Sequence, residues 1–212
     1  MKSFALIIMS ATLWSGISAQ ELKPIQLNAP DKTKGMNIMK ALELRSSVRD
    51  FSETRLTLQE LSDLVWAANG INRPEKSGRT APSSMNAQDV DVYAIMAEGA
   101  FVYDFKQHAL NPVAAGDHRK LVADRQPEMA VAPVMLVLVS DLSRLKDKDE
   151  NIRMTKACMD VGTVSQNISL FCSGTGLVTV PRASMNQEEL RKVLQLKETQ
   201  KMIMNHPVGY QK

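Results

Sequence analysis

The feature that most limits what this chain can fold into is one uninterrupted apolar run at residues 132–139, Ala-Pro-Val-Met-Leu-Val-Leu-Val. A strand that carries apolar side chains on both faces has to be covered on both faces, because an uncovered face would leave apolar surface in water. We therefore expect residues 132–139 to form a central strand of a sheet with helices on each side.

Other segments predict the rest of that sheet. Residues 89–96 alternate between apolar and polar side chains with period two, and a Glu-Gly turn leads into an aromatic-rich run at residues 101–105. This pair predicts a β-hairpin. Residues 177–180 predict a short strand, and residues 201–210 predict a final strand.

Apolar residues at helical spacing predict helices between these strands. One helix opens with a capping box, in which Thr57 is the N-cap and Glu60 lies three positions further on. The predicted helices are residues 36–44, 57–69, 118–125, 149–173 and 186–194. Strands and helices in this mixed order predict an α+β fold, with helices packed on a largely antiparallel sheet.

The N-terminal residues predict export. A lysine precedes an apolar stretch at residues 4–14, and residues 17–19 form a small-residue cleavage site, so residues 1–19 predict a secretory signal peptide. A membrane anchor is the weaker alternative, because the apolar stretch is too short to span a bilayer. The mature chain would have 212 − 19 = 193 residues, with an extended arm at 20–35 and one domain at 36–212, in the periplasm or outside the cell.

The charge balance argues against a nucleic-acid partner. The formal net charge of +3 falls to 3 − 1 = +2 without the lysine of the signal peptide, and no basic stripe carries interleaved aromatic residues. No cluster of His, Cys or Glu at ligand spacing predicts a metal site. We interpret His108, His118 and His206 as structural or exposed.

The long predicted helix carries both cysteines, Cys158 and Cys172. Fourteen residues of helix separate them by roughly 21 Å, too far for a disulfide within one chain. We therefore expect both to be small buried side chains. The small residues Ala157, Gly162 and Ser165 on the same helix predict close packing against another helix or a second subunit.

Residues 45–51, here called the arginine segment, place Arg45, Ser46, Ser47 and Arg49 just after the first predicted helix. Arginine carries a permanent positive charge and donates in a planar fork that fits phosphate oxygens, and neighbouring hydroxyl groups add donors for the same anion. We interpret this segment as a phosphate grip. The alternative is an ordinary solvated helix end followed by a turn, since short basic runs are common on surfaces.

Residues 82–88, here called the serine segment, close a long polar loop, and such loops inside a compact domain are usually functional. They supply the short hydroxyl and amide side chains of Ser83, Ser84, Asn86 and Gln88. Asn and Gln offer both donor and acceptor, which suits a planar ring whose edge alternates carbonyl and N–H groups. The alternative is a plain turn rich in serine and asparagine.

Together these segments resemble the FMN-dependent nitroreductase superfamily, and within it the small branch that includes the SagB-type dehydrogenase domains. The Arg-x-Ser-x-Arg-x-Phe pattern of the family matches the arginine segment, and its Pro-Ser-Ser-x-Asn-x-Gln pattern matches the serine segment. Gly-Leu at residues 176–177, a Pro-containing loop at 181–184 and Pro-Val-Gly-Tyr at 207–210 follow in the order of the family. The resemblance covers residues 36–210 and implies a nitroreductase-like fold, with a mostly antiparallel sheet flanked by helices.

The resemblance also implies which residues hold FMN. The arginine segment would bind the phosphate and ribityl chain, the serine segment the flavin ring, and the 181–184 loop would direct backbone N–H groups at flavin N5. Many members have Glu-Gly at the end of that loop and a second basic pair at the C-terminus, where this chain has Ala-Ser and a single lysine. The implied cofactor-binding residues are Arg45, Ser46, Ser47, Arg49, Pro82, Ser83, Ser84, Asn86, Gln88, Pro181, Arg182, Ala183, Ser184 and Lys212.

As to activity, the resemblance implies an oxidoreductase without a dedicated catalytic side chain, in which two electrons pass through FMN in ping-pong order. It implies a homodimer with FMN between the subunits, and residues 20–35 could wrap the partner. Many members use NAD(P)H, whereas export favours a quinone, a partner protein or the substrate itself as donor. A non-catalytic flavin carrier and a flavin-free binding module remain alternatives. Residues 71–80 and 106–130 are the candidates for selecting a small-molecule substrate.

Overall fold

The computed structural model describes residues 22–212, so the predicted signal peptide lies outside the described residues. The strands are β1 (Ile25–Gln26), β2 (Ile71–Arg73), β3 (Gly78–Arg79), β4 (Val90–Ile95), β5 (Gly99–Asp104), β6 (Ala109–Ala115), β7 (Val134–Asp141), β8 (Val178–Thr179) and β9 (Gln200–Gly209). The α-helices are α1 (Ile38–Leu44), α2 (Leu58–Asn69), α3 (Arg119–Ala123), α4 (Glu150–Thr175) and α5 (Gln187–Val193). Short 3₁₀ turns fall at Pro74–Lys76, Ser84–Asn86, Pro127–Val131 and Leu142–Arg144.

The main sheet has seven strands in the order β1–β6–β5–β4–β7–β9–β8, and every neighbouring pair is antiparallel. Strands β2 and β3 form a separate small hairpin. Helices α2 and α4 pack on one face of the main sheet, and α3, the Pro127–Val131 turn and α5 cover the other face. The predicted α+β fold with a largely antiparallel sheet is confirmed.

Strand β7 is the central strand that the apolar run predicts. All but the last of its residues are buried, and it pairs with β4 on one side and with β9 on the other. Because side chains alternate between the faces of a strand, Leu136 and Leu138 join the core beneath α2 and α4, while Met135 and Val137 join the core on the opposite face. Covering both faces of β7 is what gives the domain its layered arrangement.

Strand β6 lies in a region where the sequence predicts only one helix and a variable segment. It contains Pro112, which lacks a backbone N–H and is disfavoured inside a sheet. The structure accommodates this proline because β1 pairs with β6 only at Ala109 and Leu110, so the outer side of β6 is unpaired further along. The long polar loop that residues 82–88 close likewise contains the β2–β3 hairpin, at residues 71–79.

The N-terminal arm lies along its own chain. Strand β1 pairs with β6, and further on the Asp31 N–H donates to the buried carboxylate of Asp63 on α2 at 2.8 Å. The Lys34 ammonium lies 3.6 Å from the same carboxylate. Within residues 22–35 the arm therefore packs on its own chain, and its contact with a second subunit stays a prediction.

The helix ends follow their sequence signals. The Thr57 hydroxyl accepts from the Glu60 N–H at 3.2 Å, and the Glu60 carboxylate accepts from the Thr57 N–H at 2.8 Å, which confirms the capping box. Asp149 caps α4, and Gly176 ends it with φ +83°, a conformation that glycine adopts without steric cost. The 26 residues of α4 span about 39 Å, so this helix connects distant parts of the domain.

Predictions for the side chains of α4 hold in part. Cys172 is buried as expected, whereas Cys158 is exposed. Ala157 and Ser165 are buried, but Gly162 is exposed, and no other described residue comes within 4 Å of the place where its Cβ would be. One side of α4 therefore packs into the core and the other is open. Within residues 22–212, no helix is long and apolar enough to cross a membrane.

Candidate active site

The arginine segment follows directly on α1. The helix ends where the Arg45 N–H donates to the Ala41 carbonyl at 3.0 Å, and the Val48 N–H then donates to the Thr179 carbonyl at 3.0 Å, which ties the segment to β8. The side chains predicted to bind an anion are all exposed: Arg45, Ser46, Ser47 and Arg49. The backbone of the arginine segment is therefore fixed by its hydrogen bond to β8, while its donor side chains face the solvent.

The C-terminus lies beside this segment. Phe51 pairs with Gln211 in an isolated antiparallel bridge, and the Ser52 N–H donates to the Tyr210 carbonyl at 2.9 Å. Lys212 is exposed and follows directly on this pairing. The structure thus brings Lys212 to the same region as the arginine segment.

Arg182, in the 181–184 loop, points into the protein. It is 6% exposed, and its pKa is lowered by burial. Its guanidinium donates to four oxygens of other elements: Gln126 Oε1 at 2.9 Å, Val122 O at 3.1 Å, Ala123 O at 2.8 Å and Asn205 Oδ1 at 2.9 Å. This side chain holds the loop in place and is not free to bind a ligand.

The backbone of the loop offers two donors. Pro181 has no N–H, and the Arg182 N–H donates to the Asn205 carbonyl at 2.9 Å. In the described part of the chain, no acceptor lies within hydrogen-bond reach of the N–H groups of Ala183 and Ser184, and both residues are exposed. The backbone N–H groups of this loop that can donate to a ligand are therefore those of Ala183 and Ser184.

Arg49 of the arginine segment lies close enough to the 181–184 loop for its charge to act on Arg182. Burial lowers the pKa of Arg182, the nearby charge of Arg49 lowers it further, and the charges of Glu128 and Asp124 act in the opposite direction. Two neighbouring guanidinium groups repel each other, and an anion beside them relieves that repulsion. Because Arg182 is buried and held, the exposed Arg49 is the group that can turn towards such an anion.

The serine segment lies against the middle of α4. The Ser84 N–H and hydroxyl both donate to the Asp160 carboxylate, at 2.8 and 3.0 Å. The Ser83 hydroxyl accepts from the Gln88 N–H at 2.8 Å, and Arg79 Nε donates to Gln88 Oε1 at 3.2 Å. Three of the predicted ring-binding side chains, Ser83, Ser84 and Gln88, therefore hold the segment itself in shape.

The tip of the serine segment is strained and faces outwards. Met85, Asn86 and Gln88 have positive φ values of 51°, 54° and 49°, which are uncommon outside glycine. Met85 is 81% exposed, and Asn86 and Pro82 are exposed as well. Such a conformation persists only where surrounding contacts enforce it. Asn86 is thus the polar side chain that this segment presents to solvent.

Within one chain the two segments are far apart. Ser84 is held by Asp160, whereas α1 is anchored by the Ser173 hydroxyl, which donates to the Ala41 carbonyl at 2.8 Å. Thirteen residues of helix (173 − 160) separate the two anchors, about 20 Å along the axis of α4. The structure brings the arginine segment, the 181–184 loop and Lys212 together, and places the serine segment elsewhere.

Exposed apolar side chains mark α1, the serine segment and the first half of α4. Met39 on α1 is 71% exposed and Met159 on α4 is 64% exposed. We call the whole set the apolar patch: Met36, Ile38, Met39, Leu42, Leu44, Met85, Ile152 and Met159. Both α1 and the serine segment pack on α4. These residues are spread along α4, from Ile152 in its first turn to the α1 residues anchored at Ser173. Exposed apolar side chains in this number are typical of an interaction surface, here one that runs along the helix.

Several cavities lie among the described residues, and one of about 220 Å³ is lined by residues 84–87 of the serine segment. Another of about 250 Å³ lies between the arginine segment and the end of α4, and Ser46, Val48 and Thr179 contribute to its lining. A larger one of about 790 Å³ is lined mainly by apolar side chains, including Phe101 and Val134. The predicted substrate-selecting residues 106–130 contribute Arg119, Lys120, Pro127 and Ala130 to the largest cavity, and residues 71–80 contribute to none of these three.

His206 is a buried structural residue. The Thr179 hydroxyl donates to the Pro207 carbonyl at 2.7 Å, so it accepts from His206 Nδ1 at 3.1 Å, and His206 Nε2 accepts from the Ser165 hydroxyl at 2.8 Å. Burial lowers the pKa of His206 to about 3, which keeps the ring neutral. His206 joins α4 to β8 and β9 and cannot exchange protons with a ligand.

The other histidines also serve structural contacts. His108 bonds the Tyr103 hydroxyl and the Asn28 carbonyl, each at 2.8 Å, and His118 bonds the Ala115 carbonyl at 2.9 Å. In residues 22–212, no group of three or more His, Cys, Asp or Glu side chains is placed to hold a metal ion.

Sequence reasoning missed Asp160 and Gln126. Asp160 lies 76 residues from Ser84, and Gln126 lies 56 residues from the arginine that it holds, so no local pattern links the partners. Asp160 did leave one signal: it falls on the same helical stripe as the buried Ala157 and Val164. A carboxylate on the buried face of a helix requires a hydrogen-bond donor or a positive charge beside it.

Comparison with known proteins relates the chain to one family. The profile described as Nitroreductase family matches residues 42–210. A candidate nitroreductase of Ralstonia eutropha has a crystal structure that is 34% identical, covers 90% of each chain and superposes with a TM-score of 0.84. A candidate nitroreductase of Methanocaldococcus jannaschii is 28% identical over 87% of this chain and 96% of its own.

A more distant structure shares the fold alone. A chain of the microcin synthetase complex of E. coli is 18% identical, covers 97% of this chain and 85% of that chain, and has a TM-score of 0.68.

Proposed function

This chain belongs to the nitroreductase family, and on that premise we propose that it is an FMN-dependent oxidoreductase. Family membership supports an oxidoreductase of the nitroreductase type. Our proposal adds that two electrons pass through bound FMN in ping-pong order, to or from a small organic substrate.

The arginine segment fits the phosphate of FMN. Arg45 and Arg49 are exposed on a backbone that β8 holds, and Arg49 lies beside the buried charge of Arg182. An anion at this place would gain charge-assisted hydrogen bonds and would relieve the repulsion between Arg49 and Arg182. Ser46 and Ser47 add exposed hydroxyl groups, and Lys212 adds a further positive charge.

The observation that supports the shared site most strongly is the separation along α4. The arginine and serine segments are anchored about 20 Å apart on that helix, so in one chain they are poorly placed to meet one FMN. A homodimer removes this conflict, because the arginine segment of one subunit can meet the serine segment of its partner. The apolar patch includes residues of both regions and supports a second copy of the chain as the occupant.

Bound FMN would supply the two-electron chemistry, and the residues of this chain would bind and orient it. Arg45 and Arg49 would neutralise the phosphate charge. The Ala183 and Ser184 N–H groups and the Asn86 amide would donate to the polar edge of the ring, which favours a ring that carries negative charge. We assign no catalytic side chain.

The electron donor depends on where the protein acts. We propose that the signal peptide exports it to the periplasm or beyond, where NAD(P)H is scarce. A quinone, a partner protein or the substrate itself would then reduce the flavin, and the resemblance to the SagB-type branch favours a dehydrogenase. Adding each class of donor in the absence of oxygen and following the loss of the visible flavin absorbance separates these cases.

The proposal is tested by the absorbance of the purified mature protein and by identification of any cofactor released on heating. We expect a yellow protein that releases FMN, and we expect Arg49→Ala to weaken FMN binding at least about tenfold through loss of a charge-assisted bond. Lys148→Ala is the matched control, since it removes a positive charge from an exposed residue just before α4. A folded, colourless protein that does not take up added FMN would refute the proposal.

A further inference from the structure

Two buried carboxyl groups meet beneath the serine segment. Asp89 has no exposed surface, and Asp160 on α4 is 5% exposed. The Ser140 hydroxyl donates to Asp89 Oδ2, and the Asp160 carboxyl group lies close enough to Asp89 for a hydrogen bond between them when one of the two carries a proton. Among the described residues, no donor reaches Asp89 Oδ1.

Among the described residues, no cation forms an ion pair with Asp89 or Asp160. The charged groups that face Asp89 are Asp160, Arg79 on β3 and Arg144 in the turn after β7. Arg79 donates to Gln88 Oε1 and the Val90 carbonyl, and Arg144 makes a two-pronged pair with Asp91. Both guanidinium groups are therefore committed elsewhere.

A proton shared between Asp89 and Asp160 would remove the repulsion between the two carboxylates. Two ionised carboxylates in contact repel strongly in a buried site, so such pairs hold one proton between them. A proton on Asp89 Oδ1 would donate to Asp160 and would give the unpartnered oxygen its hydrogen bond. Burial raises the pKa of Asp89 to about 6, and Asp160 raises it as well, which agrees with this arrangement.

The remaining bonds of Asp160 go to the serine segment. Its two oxygens accept from the Ser84 N–H and hydroxyl, and the Thr163 hydroxyl one turn further along α4 donates to the Pro82 carbonyl at 3.1 Å. Beyond these anchors, Met85 and Asn86 hold their strained backbone conformation. The position of Asn86 thus depends on where the Asp160 carboxylate lies.

We propose that Asp160 is a positioning residue that sets the serine segment through Ser84, and that it does so fully only while it shares one proton with Asp89. When rising pH removes that proton to solvent, repulsion between the two carboxylates displaces Asp160 and loosens the segment. This inference rests on the proposed function in one respect, because it takes Asn86 to meet FMN.

The test combines Asp89→Asn with FMN titrations of the mature protein between pH 5 and pH 8. In Asp89→Asn, the side-chain oxygen can still accept from Ser140, and the amide donates permanently to Asp160. We expect the ratio of the wild-type FMN affinity to that of Asp89→Asn to fall by about tenfold across this range. The ratio is the measured quantity, because the FMN phosphate has its second pKa at about 6 and changes the affinity of both proteins alike. Asp160→Asn loses one of its two acceptors for Ser84, and its affinity should be low at every pH.

A second readout needs no FMN. The melting temperature of the flavin-free wild type, relative to that of Asp89→Asn, should fall by roughly 5 °C as pH rises from 4 to 7. Asp104→Asn is the matched control, since it neutralises a carboxylate at the end of β5, and it should keep the wild-type profiles.

The two readouts separate the possible failures. If the melting temperature changes with pH as expected but the protein does not bind FMN, the proposed function is refuted and the shared proton between Asp89 and Asp160 is supported. FMN binding with the same pH profile in the wild type and in Asp89→Asn would overturn the inference and leave the proposed function standing.

Discussion

Arg182 and Asn205 hold each other through both backbone and side chain. The Arg182 N–H donates to the Asn205 carbonyl at 2.9 Å, the Asn205 N–H donates to the Arg182 carbonyl at 2.7 Å, and Arg182 Nη1 donates to Asn205 Oδ1 at 2.9 Å. The Asn205 amide also donates to the Ser184 carbonyl at 2.9 Å. This pairing sets the shape of the loop that would offer Ala183 and Ser184 to a ligand.

Asn205→Ala should therefore destabilise the domain. The change leaves a buried guanidinium one acceptor short and the Ser184 carbonyl without its donor, which should lower the free energy of unfolding by about 2–4 kcal/mol. Urea denaturation followed by circular dichroism measures the change. Asn72→Ala, at an exposed position in β2, should stay within about 0.5 kcal/mol of the wild type. An equal loss of unfolding free energy in both variants would show that the pairing of Arg182 with Asn205 does not stabilise the domain.

His206 should make the domain sensitive to acid. Its pKa is about 3 in the folded protein against 6.5 for a free histidine, so the unfolded chain binds the proton first, and stability is lost as pH falls from about 6.5 towards 3. His206→Gln removes this group, and its stability should fall less steeply over the same range, whatever its value at neutral pH. Denaturant midpoints at several pH values give the slope.

His118→Gln is the control for that series, because His118 is only partly buried and bonds a backbone carbonyl near the surface. It should keep the wild-type slope.

Asp89 has the opposite effect on stability between about pH 4 and pH 6. Its pKa is raised in the folded protein, so the folded protein binds this proton more tightly than the unfolded chain, and stability from this group increases as pH falls. An unchanged slope in His206→Gln would contradict the assignment of acid sensitivity to this residue.

Met39→Asp should separate the proposed dimer. Met39 is 71% exposed on α1, so a charge there costs the isolated subunit little, but it would be buried against a partner. We expect the variant to be folded, monomeric by light scattering and at least about tenfold weaker in FMN binding. Leu58→Asp is the control, because Leu58 is an exposed apolar residue outside the apolar patch. A Met39→Asp variant that remains a dimer and keeps its flavin would contradict this interface.

The fold was largely predictable where signals are local. The apolar run at residues 132–139 predicted β7 and its burial on both faces, and Thr57 with Glu60 marked the start of α2. Both depend on residues that are close in sequence. The sequence did not predict strand β6 because Pro112 argues against a strand. The sheet tolerates this proline because β1 pairs with β6 only at residues 109–110 and because a bulge in the pairing with β5 follows Pro112.

The motifs singled out candidate site residues, but the contacts of those residues could not be predicted from the sequence. The motifs singled out Ser84 and Arg182, whereas the structure shows the Ser84 hydroxyl engaged with Asp160 and the Arg182 side chain engaged with the core. These partners come from distant parts of the chain, so no local spacing reveals them. The separation along α4 is also invisible in sequence, because it depends on where each segment packs.

An FMN site built from two chains is tested most directly by mixing two defective variants. Arg49→Ala alters the arginine segment and Asn86→Ala alters the serine segment, so each homodimer has only defective sites. If each site takes one segment from each subunit, a mixed dimer contains one site in which both segments are intact.

Co-expression of the two variants in equal amounts followed by measurement of bound FMN per chain gives the answer. Half of the dimers would be mixed and each would have one intact site, so we predict about one quarter of the wild-type FMN content. A mixture of Arg49→Ala with Arg45→Ala, which damages the same segment in both chains, should show no gain. FMN content that stays at the level of the separate variants in the first mixture would contradict a site shared between two chains.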